Sequence, residues 1–120
     1  MRIIPALIWT GFIVFALTSE PSAIPKYRWF SFSGADKVVH VILFGIEAFL
    51  LSWSLHRQPK FRVVFYVLIW SFVLGGGLEL IQHNYIEGRS GDFLDLLADM
   101  VGALFGIFGS VFLLKRAPLK

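Results

Sequence analysis

Four apolar blocks, at residues 3–17, 38–55, 63–80 and 93–114, alternate with polar connections at 18–37, 56–62 and 83–92 and a tail at 115–120. Within each block the apolar residues run nearly unbroken, without the polar face of a soluble helix. Each block approaches the roughly 20 residues needed to cross a bilayer as a helix. The pattern predicts an all-α polytopic membrane protein, a bundle of four transmembrane helices forming one domain over residues 1–120. The first block also has the outline of a secretory signal, with Met1-Arg2, an apolar run and the small residues Ser22-Ala23. Cleavage after Ala23 would place Pro21 at the -3 position, so the block is expected to remain as the first span.

The polar residues that interrupt this pattern fall at helix ends. Asp92, Asp95 and Asp99 lie at i, i+3 and i+7, on one helical face. Ionisable groups at membrane depth are costly and mark functional positions, and three carboxylates on one stripe demand a counter-charge. Arg89, in the short turn Gly88-Arg89-Ser90-Gly91, is expected to supply it. Offsets of 10 and 14 from Asp92 carry the same stripe to Gly102 and Gly106, a close-packing pair to which a second copy of the chain could dock. Upstream, Glu79, Gln82 and His83 share a face that follows Gly75-Gly76-Gly77, three glycines expected to allow close approach or a bend. Asp36 and His40 are i, i+4 neighbours at the start of the second block, with Phe44 and Glu47 further along the same stripe. The plain alternative is packing and pairing: an N-capping Asp36, cross-helix partners for His40 and Glu47, and a loop charge at Arg89. The functional alternative gathers His40 into a site with Glu47 as its floor or as a proton path.

Composition supports the membrane assignment. Of 120 residues, 57% are hydrophobic and 16% charged, against about a quarter charged in soluble domains, and the mean hydropathy is +0.73. Cysteine is absent, which excludes disulfides and thiol chemistry. The net charge of +3 does not indicate nucleic acid, because the basic residues sit in short connections where they orient the chain. Arg2, Arg57, Lys60, Arg62, Lys115, Arg116 and Lys120 fall on one side, and Lys26, Arg28, Lys37 and Arg89 on the other. Seven against four places both termini in the cytoplasm by the positive-inside rule. Every acid except Glu47 then belongs to the outer loops or outer helix halves. The aromatic connection Tyr27, Trp29, Phe30 and Phe32 reads as an interfacial segment over that face.

The ordered set Asp36-Lys37-x-x-His40, Glu79-x-x-Gln82 and Arg89-x-x-Asp92-x-x-Asp95-x-x-x-Asp99-x-x-Gly102-x-x-x-Gly106 resembles the VanZ-like membrane proteins over about residues 36–109. That resemblance implies a small bacterial protein of the inner (cytoplasmic) membrane; the founding members are associated with resistance to teicoplanin-type glycopeptides. It also implies a binding site of Asp36, His40, Glu79, Gln82, Arg89, Asp92, Asp95 and Asp99. Position 99 departs from the family, which more often carries Asn there.

The leading expectation is an envelope protein that binds or modulates a membrane lipid, a lipid-linked precursor or a glycopeptide target, with Arg89, Lys37 and the aromatic connection gripping an anionic headgroup. One alternative is a membrane enzyme acting on a lipid-linked phosphate, with Asp92, Asp95, Asp99 and Glu79 holding Mg²⁺ or Mn²⁺ and His40 as acid or base. Another is a proton-linked carrier using Glu47. No metal or cofactor is assigned on sequence alone.

Overall fold

The computed structural model describes residues 3–18, 35–85 and 93–116, and within these, residues 18, 35, 36, 82, 83, 85, 93 and 114–116 by backbone alone. Four helices follow in order: α1 (Ile4–Thr18), α2 (Ala35–Ser54), α3 (Lys60–Tyr85) and α4 (Phe93–Arg116). No strand occurs among the described residues.

Helices α2, α3 and α4 are long and apolar enough to cross a membrane, with spans at Lys37–Ser54, Lys60–Ile81 and Leu94–Leu113. The first helix is the shortest of the four among the described residues. Its 15 residues reach about 22 Å at 1.5 Å per residue, short of a hydrocarbon core of about 30 Å. It is nevertheless joined to the bundle: the Trp9 indole donates to the Leu43 carbonyl of α2 at 2.9 Å. The connection between α2 and α3 is also tighter than its polar composition suggests. Lys60 and Arg62, read as loop residues, belong to the first turn of α3. Pro59 explains this, because its ring fixes a helical φ and its carbonyl accepts from the amides of Arg62 and Val63 at 3.0 and 3.1 Å.

The closest helix pair is α2 with α4, and glycine makes it so. A Cβ on Gly102 would collide with the Val41 backbone, and one on Gly106 would collide with the Gly45 carbonyl and meet the Ala48 Cβ and the Phe49 nitrogen at 2.8 Å. The small-residue stripe offered above to a second copy is therefore occupied within the chain, against α2. Of the three consecutive glycines on α3, only Gly75 serves close approach. Its Cβ would meet Asp99 Oδ2 at 2.6 Å, whereas Gly76 and Gly77 have nothing within 4 Å.

The core has two apolar layers. One joins Ile13 and Leu17 of α1, Leu43 and Phe44 of α2, and Leu78 of α3. The other joins Ala48, Val63, Val67, Ala103 and Ile107. Polar residues sit at the end of the first layer and at the step between the two.

Candidate functional site

Where α2 begins, α3 ends and α4 begins, each helix delivers polar side chains at one level. His40 is 1% exposed, and Asp95 and Asp99 are also buried. His40 Nδ1 and Asp99 Oδ1 share a hydrogen bond at 2.6 Å. The other ring nitrogen, Nε2, lies 3.8 Å from Asp95 Oδ2. Asp95 and Asp99 are one turn apart on α4, so a single imidazole lies between two carboxyl groups of the same helical face. Glu79 of α3 closes the third side, with ligand atoms of His40, Glu79 and Asp95 all within 4.8 Å of one another. Gly75, one turn before Glu79, lets α3 approach Asp99 closely enough for this.

The cation paired with Asp95 among the described residues is Lys37, whose Nζ lies 2.5 Å from Asp95 Oδ1. Its side chain is 33% exposed against 6% for that of Asp95, so the ammonium stands at the mouth of the cluster. Lys37 is absent from the sequence-derived set. The signal for it was present in Lys37-x-x-His40, an i, i+3 spacing that puts the ammonium and the imidazole on one face.

Of the eight candidates, the structure brings His40, Glu79, Asp95 and Asp99 together. Asp36 and Gln82 lie in the adjoining turns of α2 and α3 by backbone position. Arg89 and Asp92 lie outside the described residues, and with them the expectation that Arg89 neutralises the stripe.

Glu47 does not form the floor of this cluster. It is fully buried two turns further along α2, with Phe44 between, itself fully buried in the first apolar layer. Glu47 Oε1 accepts from the Thr10 hydroxyl of α1 at 2.5 Å and from the Trp70 indole of α3 at 3.0 Å. These contacts tie three helices together at the step between the two layers.

The fold and the cluster define a multi-pass helical membrane protein with a buried acid–histidine centre shared by three helices. The chain belongs to the VanZ/LLP1 family, whose model matches residues 2–114, a span that includes α1. Neither a curated protein nor a solved structure matches it.

Proposed function

We propose that this protein resides in the bacterial inner membrane with both termini cytoplasmic and binds, at the extracytoplasmic end of its bundle, the headgroup of a cell-envelope lipid or lipid-linked precursor. The observation that carries the reading is the Lys37–Asp95 pair at the mouth of a cluster in which His40, Asp95 and Asp99 are buried and Glu79 is half-buried. An ammonium at that position pairs with a headgroup phosphate as a point charge. Asp95 and Glu79 behind it accept hydrogen bonds from sugar hydroxyls or peptide amines. Family membership supports a role in glycopeptide resistance through such binding. The seven-to-four count of basic residues supports the orientation.

Native mass spectrometry of the full chain with a short-chain lipid-linked envelope precursor tests the reading. The adduct is expected in the wild type and lost in both Lys37→Met and Asp95→Asn. Equal adducts in all three proteins would overturn it.

A second reading, a metal-dependent enzyme acting on a lipid-linked phosphate, is favoured by the grouping of His40, Glu79 and Asp95 within 4.8 Å. The carrier reading has less support: Thr10 and Trp70, which bind Glu47, are neutral donors, and Phe44 stands between Glu47 and His40.

A further inference from the structure

We propose that His40, Glu79 and Asp95 bind one divalent transition-metal cation, Zn²⁺ or Mn²⁺, with Asp99 fixing the imidazole and Lys37 fixing Asp95. Carboxylates alone at a helix end would be an acidic face. A buried imidazole contributed by a different helix makes this a mixed nitrogen and oxygen donor set.

Three geometric observations support the assignment. The donor atoms come from three helices and lie within 4.8 Å of one another, so three separate elements converge on one point. The 3.8 Å between His40 Nε2 and Asp95 Oδ2 is too long for a hydrogen bond. It matches the roughly 3.3–3.8 Å that two ligands keep across one ion at a tetrahedral angle, with metal–ligand bonds of about 2.0–2.3 Å. The other ring nitrogen, Nδ1, lies 2.6 Å from Asp99 Oδ1; with Asp99 ionised it carries the proton, and Nε2, which faces Asp95, is the basic nitrogen. Metal-bound histidines almost always carry such a carboxylate or carbonyl partner on the other nitrogen.

Lys37 completes the arrangement by holding Asp95 Oδ1 while Oδ2 faces the imidazole. One imidazole with two carboxylates and no thiolate suits Zn²⁺ or Mn²⁺ better than Ca²⁺, which takes six to eight oxygens.

The cation site draws on Asp95 and Glu79, which the headgroup reading also uses, so the test omits anionic lipid and reads the metal alone. Full-length protein in neutral detergent is stripped with chelator and then titrated with Zn²⁺ and, separately, Mn²⁺. Thermal unfolding and metal retained after desalting are both measured. One of the two ions is expected to raise the unfolding temperature saturably and to remain at about one equivalent per chain. Glu79→Gln and Asp95→Asn should each weaken binding at least tenfold, while the unfolding temperature of Glu79→Gln in chelator stays near that of the wild type. Asp99→Asn should cost less than tenfold, because an amide oxygen still accepts the Nδ1–H. Retained metal well below one equivalent for both ions, or equal stabilisation of wild type and Glu79→Gln, would overturn the assignment.

Discussion

Two sets of buried acids on this bundle are handled in opposite ways. Glu47 is held by a hydroxyl and an indole, both neutral donors, and it bonds α1 and α3 to α2. Asp95 and Asp99 share an imidazole, and Asp95 also takes an ammonium at the mouth of the cluster. The first arrangement satisfies an oxygen and holds helices together, and a neutral amide could do the same work. The second concentrates ionisable groups whose charges depend on one another, so removing one partner leaves another exposed to the full cost of burial. The difference teaches that depth alone does not mark a chemical site; the character of the partners does.

The largest effect should come from breaking the helix pair that both regions share. Gly106→Leu forces a side chain against the Gly45 carbonyl and the Phe49 backbone, atoms that cannot rotate away. A loss at the upper end of overpacking, about 3 kcal/mol, is expected in detergent unfolding, and both regions should be lost together. If only one region were lost, α2 and α4 would not be their common scaffold.

The next effect separates the two regions. Lys37→Met leaves Asp95 without its ammonium and should cost about 2–3 kcal/mol, less than the 3–5 of a fully buried pair because Lys37 is a third exposed. Adding Asp95→Asn should recover most of that loss in a double-mutant cycle. Additive losses would mean that the pair contributes nothing to stability.

Glu47 should respond to shape rather than charge. Glu47→Ala leaves the donors from Thr10 and Trp70 without an acceptor and should cost about 1–3 kcal/mol. Glu47→Gln keeps an oxygen in place and should cost under about 1 kcal/mol. Equal and large losses in both variants would place Glu47 with the ionic cluster and erase the contrast.

Smallest of all, Gly76→Ala should stabilise α3 by up to about 1 kcal/mol, since a Cβ there meets nothing within 4 Å. Gly75→Ala should not, because its Cβ would press on Asp99. A matching gain at both positions would show that α3 does not need to lie close to Asp99.

The four helices were legible because apolar runs of membrane length leave little choice of structure. The shared level of His40, Glu79 and Asp95 was legible from helical spacing together with an up-and-down order of spans. What spacing could not supply was the choice among partners. Lys37 and Arg89 were both basic residues near the stripe; packing puts the Lys37 ammonium on Asp95, while Arg89 lies outside the described residues. Periodicity placed His40 and Glu47 on one face of α2, but it could not show Phe44 sealing one from the other. The glycine stripe was read correctly as a close-packing surface; whether its neighbour was another molecule or α2 depended on crossing geometry that sequence does not encode.

The bond between Thr10 and Glu47 also bears on how the chain enters its membrane. A helix carrying an acid at its centre inserts at a penalty of about 3 kcal/mol, and α2 carries Glu47 near its middle. Synthesis runs from the N-terminus, so α1 and its hydroxyl are made before that acid emerges, while Trp70 follows later on α3. The first helix thus brings the first partner that lets the next one stay.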